Sequence, residues 1–240
     1  ILIFKMGKKK LMAGAKVKEM AHVLEPAFKE ILRQDYRLKG KWREEFGNDN
    51  PIVLELACGK GEYSVGMGEI YPDRNFIGID IKGARIFAGA TKAEEKGMTN
   101  VRFLRTKIDM IASFFAENEV DEIWILFADP QMEKPRKRLT SMLFLDRYKH
   151  ILKPRGTLNL KSDSTELYEY TKNESIPEFN AERAGYNFEK VFDTDCLYEE
   201  GINKLEETMQ KVMNIRTYYE QMWLEQGKSI KYLCYNFKKA

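Results

Sequence analysis

The chain has 240 residues, 43% hydrophobic and 32% charged, with 40 Lys and Arg set against 37 Asp and Glu for a net charge of +3. That length holds one large α/β domain, and no stretch approaches the roughly 18 consecutive apolar residues of a membrane span. Three cysteines without CxxC spacing (Cys58, Cys196, Cys234) and two histidines (His22, His150) argue against a disulfide scaffold and a metal centre, so the chain reads as cytoplasmic and metal-free.

In chain order, residues 1–50 read as an extension and 51–240 as the main domain. The apolar start, Ile1 to Met6, is far too short for a secretion-signal core, and Met6 is a candidate start. Lys5, Lys8, Lys9, Lys10, Lys16 and Lys18 make the extension basic and a candidate RNA contact, and one helix is expected around Glu25 to Arg37. From Pro51 the pattern becomes rhythmic. Ile52 to Leu56 is an apolar run followed by glycines and a helix over Glu62 to Tyr71. Asn75 to Asp80 repeats the design, with a helix over Lys82 to Lys96. Val101 to Leu104, Glu122 to Phe127 and Gly156 to Lys161 supply three more strands. Apolar strands alternating with helices predict a parallel sheet covered on both faces. The tail differs: strands at Asn187 to Asp193 and Ile230 to Phe237 flank a helix near Leu205 to Leu224 and suit an antiparallel hairpin. The predicted fold is therefore α/β, Rossmann-like and doubly wound, with a mostly parallel sheet of seven strands.

Ligands of such sheets bind beyond the carboxyl ends of the strands, so the informative residues should follow each strand. After the first come Glu55, Leu56, Ala57, Cys58, Gly59, Lys60 and Gly61. Paired glycines allow a tight turn and a close backbone approach. Ser64 stands where a dinucleotide fingerprint needs its third glycine. With Glu55 ahead of the loop, a cationic ligand carrying an amino group suits it better than a pyrophosphate. Asp80 ends the second strand, where a carboxylate accepts from ribose hydroxyls. Together these features indicate a nucleoside cofactor.

Glu55 to Gly61, followed by Ile79 and Asp80, resembles motifs I and II of the class I S-adenosylmethionine-dependent methyltransferases. The usual motif I is E/D-x-G-x-G-x-G, and Ala57 replaces its first glycine. The resemblance implies S-adenosylmethionine as cofactor, held by Glu55, Ala57, Gly59, Gly61 and Asp80.

The fourth strand runs into Phe127, Ala128, Asp129 and Pro130, then a basic loop with Lys134, Arg136, Lys137 and Arg138. Proline fixes the orientation of the preceding acid, and the cations suit a polyanion. The fifth strand delivers Lys161, Ser162 and Asp163, a second acid at the same edge. Two carboxylates and a basic loop beside an alkyl-cation donor make a nucleic-acid base a natural substrate. The competing reading is that Asp129 and Asp163 are helix N-caps. Tyr218, Tyr219 and Trp223 read as core at helical spacing, and Cys58 as a small packed residue under the glycine turn.

From Ile52 to Phe237 the chain resembles the bacterial tRNA (guanine-N7-)-methyltransferases. The family's P-D-P-W-P-K-K-R-H-H-K-R-R segment is matched by Ala128-Asp129-Pro130 and the basic run. Its T-D segment is matched by Ser162-Asp163, and its T-x-x-E motif by Thr217-Tyr218-Tyr219-Glu220. The resemblance implies methylation of guanine N7 in tRNA, at position 46 of the variable loop. It further implies Asp129 as the catalytic acid, also beside the cofactor, with Asp163, Thr217 and Glu220 on the guanine and Lys134 and Arg136 on the substrate. The family's acid near the adenine falls at Lys107, so cofactor contact there would run through backbone atoms. Ala128, Gln131 and Glu133 depart from the family's proline, tryptophan and lysine. Monomer and homodimer both stay open. So do a small-molecule methyltransferase of the same fold, which competition between tRNA and metabolites would separate, and a non-catalytic RNA-binding module, which cofactor turnover would exclude.

Overall fold

Strands β2 (Ile52–Leu56) and β3 (Asn75–Asp80) are buried along their whole length, as continuous apolar runs are when both faces of a parallel sheet are covered. The computed structural model describes residues 16–240, so the Lys5 to Lys10 cluster lies outside the described residues. The chain divides into two compact units, one running to Phe114 and one from Phe115.

In the first unit the strands lie in the order β1-β4-β3-β2, where β1 is Val23–Leu24 and β4 is Val101–Arg105. All three pairings are parallel. The helices Glu62–Ile70 and Gly83–Glu95 fall where the sequence places them. Trp42 is fully buried and donates its indole N–H to Phe114 O at 2.9 Å, tying the segment before β2 to this core.

In the second unit the order is β5-β6-β8-β7, with β5 at Val120–Leu126, β6 at Leu152–Ser162, β7 at Tyr186–Thr194 and β8 at Lys231–Lys239. β5 and β6 are parallel; β8 is antiparallel to both β6 and β7, as expected of the tail. Trp124 and Tyr232 stack with centroids 6.3 Å apart in its core.

Three expectations need correction. Strand β1 is an eighth strand where seven were expected; two residues are too few to leave a periodic signal, and its pairing depends on β4. The helix expected over Glu25 to Arg37 is only Phe28–Ile31, because Pro26 holds the chain extended before it and only Ile31 of its residues is buried. The helix near Leu205 to Leu224 is two helices, Glu207–Met213 and Tyr218–Glu225. Thr217 takes an extended conformation between them and caps the second.

Candidate functional site

The first unit carries a glycine loop pinned to the next strand. At the end of β2 the chain turns through Ala57, Gly59 and Gly61, all left-handed, with φ of 59°, 57° and 69°. Ala57 thus adopts a conformation that costs a non-glycine residue about 1–2 kcal/mol. Asp80 fixes the loop: Oδ2 accepts from Gly59 N at 3.0 Å and Oδ1 from Lys82 N at 2.8 Å. Beneath it the buried Glu55 carboxylate accepts from the Ser64 backbone N–H at 2.7 Å and from the Ser64 hydroxyl. Ser64, in the place of a third glycine, is therefore the partner of the motif's acid. Burial pushes Glu55 up to about 8, against the pull of these hydrogen bonds.

The loop is built for close approach. A Cβ on Gly89 would lie 2.5 Å from Lys60 O, whereas one on Gly59 would meet nothing within 4 Å. Gly59 faces open space, and Gly89 lets the helix Gly83–Glu95 press against the loop from behind. Gly89→Ala is expected to lower the unfolding free energy by about 1–3 kcal/mol through that backbone clash. Urea denaturation reads this, and an unchanged midpoint would mean the loop yields freely. Cys58 is buried and packed, as expected. Lys107 stands just past β4 with its ammonium over the Phe28 ring, 4.8 Å from the centroid.

The second unit brings acids to the carboxyl ends of two neighbouring parallel strands, β5 and β6. Phe127 leaves β5 with φ 50° and donates its N–H to Lys161 O at 2.9 Å. Asp129 follows, exposed, with Oδ1 accepting from Gln131 N at 2.9 Å. Gln131 is itself left-handed at φ 47°. Asp129 is thus oriented by its own turn and caps no helix. Asp163 does not cap one either: Ser164 caps the helix Thr165–Tyr170, accepting from Leu167 N at 3.1 Å. Asp163 instead faces Lys228, with Oδ2 to Nζ at 3.4 Å.

The basic loop splits into two roles. Lys134, Arg136 and Lys137 are exposed around the turn Pro135–Lys137. Arg138, expected with the rest of this run to be solvated or to face phosphate, is buried. It pairs with Glu166, donates Nε to Pro130 O at 2.9 Å and lies 4.4 Å from the centroid of the Tyr170 ring. Its charge holds the Asp129-Pro130 turn in place.

The T-x-x-E motif is physically a helix start. Thr217 Oγ1 accepts from Glu220 N at 3.0 Å, one half of a capping box. The Glu220 side chain points inward instead of returning to Thr217. It is fully buried, with Oε1 2.6 Å from Lys161 Nζ, 3.4 Å from Arg216 Nη1 and accepting from the Tyr198 hydroxyl. Lys161 Nζ also donates to Tyr198 Oη and Met213 O, each at 2.8 Å. Glu220 Oε2 is buried and has no hydrogen-bond partner. Lys161, Tyr198 and Arg216 escaped the sequence reading. A lysine ending the run Leu158-Asn159-Leu160, next to Ser162 and Asp163, was the available signal. Tyr218 and Tyr219, expected in the core, are 63% and 47% exposed because the buried positions of this helix go to Glu220. Trp223 is half-buried, with Lys228 Nζ 3.5 Å from its centroid.

The family described as "Putative methyltransferase" matches residues 49–233. The tRNA (guanine-N(7)-)-methyltransferase of Bacteroides fragilis is 47% identical over 229 residues, 95% of this chain and 85% of that protein. The proteins of the same name from Porphyromonas gingivalis and Christiangramia forsetii are 48% and 43% identical, over 89% and 96% of this chain and 84% and 99% of theirs. The chain belongs to the tRNA (guanine-N7)-methyltransferase family. Solved structures share the fold of this family member. An antibiotic-related methyltransferase matches with TM-score 0.57 and 15% identity over 82% of this chain and 92% of the other. The 16S rRNA methyltransferase KamB matches with TM-score 0.57 and 13% identity, over 83% and 93%. At such identities the likeness establishes the fold alone. Among the described residues no cluster has metal-binding composition, and no helix is long and apolar enough to cross a membrane.

Proposed function

We propose that this chain methylates N7 of a guanine in tRNA, at position 46 of the variable loop, with S-adenosylmethionine as methyl donor in the cytoplasm. The observation that carries this reading is identity of 43–48%, across most of the chain, to three proteins named for that activity. The cradle in the first unit fits the cofactor: open space over Gly59, a ribose-accepting acid in Asp80, and the buried carboxyl group of Glu55 beneath the loop. Bound there, S-adenosylmethionine supplies an electrophilic methyl carbon on a sulfonium.

Guanine N7 has an in-plane lone pair and no proton, so no side chain has to act as a base on it. The residues' work is positioning and charge. As the N7–carbon bond forms and the sulfur–carbon bond breaks, its electron pair staying on the departing thioether, the purine gains positive charge, and the Asp129 carboxylate, held by its turn, would lower the energy of that charge. The T-x-x-E motif assigns Glu220 to the guanine; in the structure it is fully buried, with Lys161, Tyr198 and Arg216 on one oxygen and Oε2 unpartnered. Asp163 and Thr217 complete the base side. Lys134 and Arg136, exposed beside Asp129, meet phosphates, so tRNA affinity falls steeply with salt.

The test is transfer of labelled methyl from S-adenosylmethionine to an unmodified tRNA transcript, mapped by cleavage at N7-methylguanine. Label is expected at a variable-loop guanine, reduced about 10²–10³-fold in Asp129→Ala. Absence of transfer to any tRNA, despite measurable cofactor binding, would overturn the assignment.

A further inference from the structure

A cavity of about 500 Å³ opens in the first unit one residue beyond Asp80. Its lining includes Ile81 from the end of β3, Arg105, Thr106 and Lys107 from the end of β4, and Glu25 and Phe28 from the segment ahead of β2. A ribose held by Asp80 carries its base on the adjoining carbon, so the base falls within a residue's length of Ile81. Two large apolar side chains on this lining, Ile81 and Phe28, are 49% and 47% exposed. Side chains of this kind suit the faces of a flat heterocycle.

The polar part of the lining is more specific. Glu25 Oε1 is 2.7 Å from Arg105 Nη1, and Arg105 Nε donates to Ile81 O at 3.2 Å, which ties the carboxylate to the strand end. Glu25 Oε2 is buried and has no hydrogen-bond partner. A carboxylate oxygen accepts and never donates, so its partner has to be a donor such as a ligand N–H. Lys107, at the position of the family's adenine-side acid, has an ammonium with donors only and cannot accept from an amino group.

Resting on the cofactor assignment above, we propose that Glu25 is the acceptor for the exocyclic 6-amino group of the cofactor's adenine, in a slot walled by Phe28 and Ile81. The task of a strand-end acid has moved to a residue of the amino-terminal segment. A 6-oxo purine would set a second acceptor against the carboxylate, so Glu25 selects 6-amino over 6-oxo nucleosides.

Calorimetric titration with S-adenosylhomocysteine and its 6-oxo analogue, S-inosylhomocysteine, tests this. The intact protein is expected to prefer the adenosyl compound by at least about tenfold, since a site built to pair with a substrate N–H rejects the analogue lacking it. Glu25→Gln, whose amide can donate to a 6-oxo group, is expected to bring the ratio to about one or below. An unchanged ratio in a folded Glu25→Gln protein would overturn the proposal and leave the cofactor assignment standing. Failure of the adenosyl compound to bind the intact protein would overturn both. Should Glu25→Gln not fold, Phe28→Ala decides: about tenfold weaker binding of both compounds supports the slot, and unchanged binding overturns it.

Discussion

Replacing Lys161 with methionine is expected to cost about 3–5 kcal/mol of folding stability, the range for removing one partner of a buried ion pair. Lys161 and Glu220 are both 0% exposed and 2.6 Å apart. Without the ammonium, Glu220 keeps only the Tyr198 hydroxyl and Arg216 at 3.4 Å, so its charge loses most of its compensation while staying out of water. Burial pulls Lys161 down to about 8 against the opposing pull of Glu220, so the pair as a whole is held at a cost. The double variant Lys161→Met/Glu220→Gln is therefore expected to recover most of the loss in urea denaturation. If Glu220 binds the guanine as proposed, this variant transfers no methyl to tRNA despite its recovered stability. A double variant no more stable than Lys161→Met would show that the lysine serves packing and not charge.

The second large effect is on the pH dependence of stability. Glu55 has an ordinary value of 4.5 and is pushed up to about 8 by burial. Between those values the folded chain holds a proton that the unfolded chain has released. Stability therefore falls as pH rises through this window, by up to roughly 1.4 kcal/mol per pH unit. Glu55→Gln keeps an acceptor for Ser64 and removes the titration. It is expected to flatten the curve of unfolding free energy against pH and to be the more stable protein by a few kcal/mol near pH 8. Parallel curves for the two proteins would place Glu55 as ionised throughout.

The sheet and its glycine loop were legible because their signals are local. β2 and β3 are unbroken apolar runs, and the spacing of Gly59, Gly61 and Asp80 follows from the turn each must make. What stayed hidden depends on partners far along the chain. Lys161 reads as one more cation beside Asp163 until Tyr198, Met213 and Glu220 enclose it. Arg138 reads as part of a phosphate-binding run until Glu166 and Pro130 claim it. Glu25 carries no motif, and its significance rests on Arg105 and Ile81, which the topology of the first unit places against it. The break between the two last helices was readable in principle, since Thr217 and Glu220 have capping-box spacing, yet the apolar periodicity runs through it.

Strand β1 has a consequence out of proportion to its two residues. Val23 and Leu24 pair with Phe103 and Leu104, His22 O accepts from Phe103 N at 2.7 Å, and the His22 ring reaches Val101 O at 3.1 Å. Unpaired backbone along a border strand is a template on which a second copy can add by strand-to-strand growth. β1 plugs that template on β4. The plug is spliced directly onto Glu25 and Phe28, so one short stretch of sequence both covers the border of β4 and shapes the proposed nucleoside slot. Changes that erode the first property therefore disturb the second, and neither can drift alone.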